Sequence, residues 1–130
     1  MVYKKKILLI DDEKDFCFFV KNNLELTGEF KVVYATNPDK GIRLARQDPP
    51  DLILLDILMP RKDGFKVLDM LKKNSKTLSI PIIMLTAVGE DEAKIKAVAA
   101  YCENYITKPV GFDTLRTKID AVFEMKGANR

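Results

Sequence analysis

Polar residues follow apolar runs at four points of the chain. Asp11 and Asp12 follow Ile7-Leu8-Leu9-Ile10, and Asp56 follows Leu52 to Leu55. Thr86 follows a run ending at Leu85, and Lys108 precedes Pro109 just after Tyr105-Ile106. If a fold gathers these groups at one edge, three carboxylates meet an ammonium and a hydroxyl. Two unit charges about 4 Å apart repel by roughly 4 kcal/mol at an effective dielectric near 20, so the carboxylates need a counter-charge. A divalent ion supplies it, and Mg²⁺ suits because it takes oxygen ligands and keeps several waters. With Lys108 and Thr86 alongside, such a site offers an anionic phosphoryl group a metal, an ammonium and a hydroxyl. Phosphoryl transfer is mostly positioning and charge stabilisation, so these parts suffice. Asp56 can then act as nucleophile and form an acyl phosphate.

Taken singly, each residue has a plainer use. Asp11 and Asp12 suit helix caps. Asp56 suits ordinary loop polarity, Thr86 a cap on a following helix, and Lys108-Pro109 a turn. Four such groups at one edge, in order, carry more weight than any of them alone.

The elements that must position them are readable. Continuous apolar runs indicate strands buried on both faces, as in a parallel sheet. Five are present: Ile7 to Ile10, Phe30 to Ala35, Leu52 to Leu55, Ile80 to Leu85, and Tyr105-Ile106. Helical stripes alternate with them. Phe16, Phe19, Val20 and Leu24 form the first, stopped by Gly28. Pro38 opens the second, before Ile42 and Ala45. Val67, Leu68 and Leu71 form the third, Ile95, Val98 and Ala99 the fourth, and Leu115, Ile119, Val122 and Phe123 the fifth. Such β-α alternation predicts an α/β fold, a doubly wound (βα)5 flavodoxin-like parallel sheet with strand order 2-1-3-4-5. In these sheets ligands bind outside the carboxyl ends of the strands, where the polar groups stand.

The chain of 130 residues fits one domain, expected to span 1–130 with a core of about 5–126. Hydrophobic residues make up 47% and charged residues 32%, a balance that suits a packed core and not a disordered chain. A net charge of +3, with Lys4-Lys5-Lys6 as the longest basic run, argues against direct nucleic-acid binding. No apolar run is long enough to span a bilayer, and no signal peptide is readable. Cys17 and Cys102 form neither a metal-ligand pair nor a disulfide framework, so a reduced, cytoplasmic location is expected. The chain has no histidine, so any chemistry that needs one must take it from a partner.

Taken together, the segments Ile7 to Glu13, Asp51 to Gly64 (DLILLDILMPRKDG), Pro81 to Ala87 (PIIMLTA) and Tyr105 to Pro109 make the sequence resemble the receiver domains of bacterial response regulators. The strand order 2-1-3-4-5 is that family's own, so it stands as what the resemblance implies and not as an independent derivation from the alternation. The resemblance implies a phosphorylation-dependent switch, with phosphoryl transfer to Asp56 from a partner histidine kinase or histidine phosphotransfer protein. It implies Mg²⁺ held at the acidic pair Asp11 and Asp12, with Asp12, Asp56 and the backbone carbonyl of Leu58 as direct ligands. Thr86 would be the switch hydroxyl, Lys108 the lysine that contacts the phosphoryl group, and Tyr105 the switch aromatic. Plain packing as a half-buried strand tyrosine stays open for Tyr105. Met59-Pro60 and Gly64 match the loop that shapes the acceptor site.

The changed face, formed by the fourth helix, fifth strand and fifth helix, would bind a downstream output protein. The domain would act as a signalling receiver and not as a metabolic enzyme, catalysing only its own phosphorylation and dephosphorylation. Departures from the family pattern lie near that face: Tyr101-Cys102 where Gly-Ala is common, and Val110 where Phe often follows Lys-Pro. Leu58 and Val88 are apolar at two positions that tune phosphoryl lifetime, which predicts a comparatively long-lived phosphorylated form. Two other functions compete. A receiver-shaped interaction module that is never phosphorylated would usually lose an acidic residue, the threonine or the lysine, and all are present. A Mg²⁺-dependent aspartyl-phosphate phosphohydrolase would want an acid or base two residues after the nucleophile, where Leu58 stands. Met1 close before the first strand reads as a natural start, while the end at Gly127 to Arg130 leaves a stand-alone regulator and a receiver cut from a longer chain both open.

Overall fold

A computed structural model describes residues 3–57, 59, 63–87 and 102–128, the last three by backbone alone. Five strands and four helices follow in the order β1 (Lys5–Ile10), α1 (Lys14–Leu26), β2 (Phe30–Ala35), α2 (Pro38–Gln47), β3 (Leu52–Asp56), α3 (Gly64–Lys72), β4 (Ile82–Ala87), β5 (Asn104–Lys108) and α4 (Phe112–Ala128). The expected fourth stripe, Ile95, Val98 and Ala99, lies outside the described residues, so α4 is the helix expected as the fifth. All strand pairs are parallel, and the order is β2-β1-β3-β4-β5. This is the doubly wound, flavodoxin-like arrangement that the alternation and the family resemblance together predict.

The strands are continuous apolar runs because both faces are covered. Along β1, Ile7 and Leu9 join a core cluster with Val20 and Leu24 of α1 and Leu115 and Ile119 of α4. Leu8 and Ile10 point the other way and meet Ile42 and Ala45 of α2 and Val67 and Leu68 of α3. The two-residue period of a strand makes this division, so a one-residue slip in register would exchange the two cores.

Local chemistry sets the helix limits. Asn37 caps α2 by accepting from Lys40 N at 2.8 Å, with Pro38 in the first turn. Gly28, with φ of 79°, ends α1 in the left-handed conformation. Asp63 caps α3 by accepting from Phe65 N at 2.9 Å. Several strand limits differ from expectation, two of them for clear reasons. The fourth begins at Ile82, not Ile80, because Pro81 has no N–H for the ladder. The fifth extends to Asn104–Lys108, since its residues keep pairing with β4 beyond the short apolar core at Tyr105-Ile106.

β2 lies at an edge of the sheet, where unpaired backbone groups invite pairing with another chain. Two side chains of α1 occupy that edge: Glu25 accepts from Val32 N at 3.0 Å, and Lys21 donates to Val32 O at 2.8 Å. No described helix is long and apolar enough to cross a membrane.

Candidate functional site

The carboxyl ends of four neighbouring strands bring the expected polar residues to one place. Asp11 stands one residue beyond β1, and its N–H still donates to Ala35 O of β2 at 3.1 Å. Asp56 closes β3, Thr86 is the penultimate residue of β4, and Lys108 ends β5. The Lys108–Pro109 peptide is cis. Asp12, Asp56, Thr86 and Lys108 line an open cleft together with Glu13 and Phe16. Asp11 lies fully buried beside them.

The plain uses weighed for three of these residues do not describe the structure. The N-cap of α1 is Glu13, not Asp11 or Asp12. Asp11 Oδ1 does accept from Glu13 N at 2.9 Å, but that bond shapes the turn before the helix. Thr86 lies inside β4, with its hydroxyl 3.4 Å from the Ile106 carbonyl oxygen and 3.3 Å from Thr107 Oγ1.

The charge balance is unusual. Asp11, Asp12 and Asp56 each offer a carboxylate oxygen, all within 4.8 Å of one another. Lys108 Nζ lies 2.6 Å from Asp11 Oδ2, 2.7 Å from Glu13 Oε1 and 3.6 Å from Asp56 Oδ2. Burial pushes the Asp11 carboxyl up to about 6, and the charge of Asp56 adds to that push. Lys108 and the Glu13 N–H oppose it. Burial alone would lower the Lys108 pKa, but the nearby Asp11, Glu13 and Asp56 carboxylates outweigh it and raise the pKa.

Asp11 Oδ2 is also buried without a hydrogen bond of good geometry, despite its short approach to Lys108. The Lys108 ammonium 2.6 Å away offsets part of the cost of burying that anionic oxygen, and a bound divalent ion would offset more. An all-oxygen, carboxylate-rich donor set is what a hard divalent ion takes, so the residues present fit Mg²⁺.

The backbone at Asp56 and Ile57 is held tightly from below. Gly64 N donates to Ile57 O at 3.3 Å, and Ile57 N donates to Leu85 O at 3.1 Å. A Cβ on Gly64 would stand 2.2 Å from Ile57 Cα and 2.9 Å from Asp56 O, so only glycine fits. Met59 is buried in the core cluster that includes α3. Leu58, Pro60, Val88 and Tyr101 lie outside the described residues. Tyr105 is not part of the cleft: it stands on β5 with 46% of its surface exposed.

Three neighbours had no site role in the sequence reading. Glu13 pairs with Lys108 across 95 residues. Phe16, assigned there to the core stripe, has its ring centroid 4.3 Å from Lys108 Nζ. Thr107 meets the Thr86 hydroxyl. Only Glu13 carried a signal, being a further acid directly after the acidic pair. Cys17, beside the cluster, donates from Sγ to Asp11 O at 3.3 Å. Burial pushes its thiol up to about 12, which leaves it inert.

Comparison with known proteins agrees with this geometry. Residues 7–120 match the response regulator receiver domain family. The DNA-binding dual master transcriptional regulator RpaA of Synechocystis is 38% identical over 117 residues, which are 90% of this chain and 48% of that relative. Protein PilH of Pseudomonas aeruginosa is 36% identical over 117 residues, covering 90% of this chain and 96% of the relative. Several other transcriptional regulators match in the same way, and the chain spans about half their length. Among solved structures, a CheY-like response regulator receiver domain protein from Methanospirillum hungatei superposes with a TM-score of 0.88 at 26% identity. The match covers 98% of this chain and all of that one.

Proposed function

The chain belongs to the response regulator receiver domain family, a signalling module, and from that premise we propose that it is a phosphorylation-dependent switch whose acceptor is Asp56. The observation that carries this reading is the convergence of Asp11, Asp12, Asp56, Thr86 and Lys108 at the carboxyl ends of four adjacent strands. Asp11, Asp12, Asp56 and the Leu58 carbonyl would hold Mg²⁺, which when bound neutralises charge on the phosphoryl oxygens.

The chain has no histidine, and a phosphohistidine of a histidine kinase or phosphotransfer protein is the donor. An Asp56 carboxylate oxygen attacks phosphorus, the P–N bond to the imidazole breaks, and the imidazole leaves with the electron pair and takes a proton from solvent. Lys108, already within 3.6 Å of Asp56, supplies positive charge to the transferred group. Among the described residues Thr86 makes long contacts to β5, and we read its hydroxyl as able to turn and donate to a new phosphoryl oxygen. That movement vacates space beside β5, and the half-exposed Tyr105 ring fills it. The altered face is read by a downstream output protein, in trans or as a further domain. The switch works in the cytoplasm, and residues 1–130 act as one receiver unit.

The test is intact mass after incubation with Mg²⁺ and phosphoramidate. One added phosphoryl mass with magnesium, and none with a chelator, supports the switch. No addition to a folded chain that still binds magnesium defeats it.

A further inference from the structure

Glu13 holds the N-cap position of α1, yet its side chain makes no capping hydrogen bond. Its backbone is fixed at both ends, since N donates to Asp11 Oδ1 at 2.9 Å and O accepts from Cys17 N at 3.0 Å. The carboxylate instead crosses to β5, where Oε1 accepts from Lys108 Nζ at 2.7 Å. Lys108 also rests against the Phe16 ring and is farther from Asp56 than from Glu13. Together with Asp11, whose Oδ2 lies 2.6 Å away, these contacts station the ammonium on the α1 side of the cleft and not over Asp56. The two carboxylates differ in setting: the Glu13 side chain is 62% exposed and that of Asp56 only 4%.

We propose that Glu13 is a positioning residue that competes with the phosphoryl group on Asp56 for Lys108, and so sets how strongly the phosphorylated state is favoured. The proposal rests on the reading of Asp56 as acceptor. A phosphoryl group brings about −1.5 to −2 charges, more than the single charge of Glu13, so it takes the ammonium. An ion pair at an exposed rim is a weak competitor that yields without a large barrier. Its loss is nonetheless subtracted from the binding of the phosphoryl group, because only the unphosphorylated state keeps it. Glu13→Gln retains the shape and removes the charge. It should tighten binding of a phosphoryl mimic by roughly two- to five-fold, the range open to an exposed pair. Salt screens such a pair, so the advantage of the variant should shrink as ionic strength rises.

The experiment is calorimetric titration of the full chain with beryllofluoride in the presence of Mg²⁺, for wild type, Glu13→Gln and Glu13→Asp, at low and high salt. Tighter binding by Glu13→Gln at low salt, a gap that narrows at high salt, and a return toward wild type in Glu13→Asp are the expected results. Weaker or equal binding by Glu13→Gln overturns the competition, as does a gap insensitive to salt. Wild type that binds magnesium but no beryllofluoride overturns the acceptor reading and the competition with it. Wild-type binding with an unaltered Glu13→Gln defeats the competition alone.

Discussion

The two ends of the sheet are built on opposite terms. At the amino ends of the strands, polar groups close off backbone and one another. Asp51 Oδ2 accepts from Lys6 N at 2.8 Å and from the Tyr3 hydroxyl at 2.9 Å, while Lys6 also pairs with Asp48. Glu103 Oε2 accepts from Ile82 N at 2.6 Å, and Lys72 reaches the carbonyls of Leu78 and Ile80. At the carboxyl ends, three carboxylates crowd within 4.8 Å, and one of them buries an oxygen without a good hydrogen bond. Polar groups at the first end stabilise the fold. Those at the second are held in a costly arrangement that a bound cation would relieve.

The largest effect that could break this contrast lies beneath Asp56. Gly64→Val places a Cβ 2.2 Å from Ile57 Cα, so the backbone carrying Asp56 must move. A destabilisation of about 3 kcal/mol is expected, measured by urea denaturation, together with a loss of phosphoryl uptake. A variant of unchanged stability and reactivity would show that the backbone at Asp56 and Ile57 is not held from below.

Asp51→Ala probes the other end. It removes the acceptor for two hydrogen bonds and should cost about 1–2 kcal/mol in the same denaturation experiment. Phosphoryl uptake should be unaffected. A drop in uptake would mean that the two ends are not separable.

The sequence made this division partly visible. Strands buried on both faces leave continuous apolar runs, so residues such as Leu52 to Leu55 announced β3 and placed Asp56 at its end. Type and order alone then gathered Asp11, Thr86 and Lys108. Glu13 carried only a weak signal as an acid after the acidic pair, because its partner is 95 positions away and an exposed acid before a helix has many uses. Cys17 was not placed in the core, since a small sulfur side chain adds little to a helical stripe. The start of β4 was misjudged because Ile80 belongs to the apolar run but precedes a proline that cannot pair.

A smaller effect sharpens the contrast through pH. The folded-state pKa of Asp11, about 6, is raised above its ordinary 3.8, so its contribution to stability is full below the lower value and is lost as pH rises through the upper one. In metal-free buffer, unfolding free energy should therefore rise by about 1 kcal/mol as pH falls from about 7 to 5. Glu25 has a lowered pKa and acts in reverse, losing its contribution only at lower pH. Asp11→Asn should flatten the rise, read from urea denaturation at each pH. A wild-type profile that is flat, or that falls between pH 7 and 5, would remove the charge penalty assigned to the carboxyl end.

The claim that Asp56 is the acceptor is tested most directly by locating the phosphoryl group. Borohydride reduces an aspartyl phosphate to homoserine, and peptide mapping then reads its position. After treatment with Mg²⁺ and phosphoramidate, homoserine at position 56 alone is predicted, with none in Asp56→Asn. Homoserine at Asp11 or Asp12, or phosphate retained on Thr86, would contradict it.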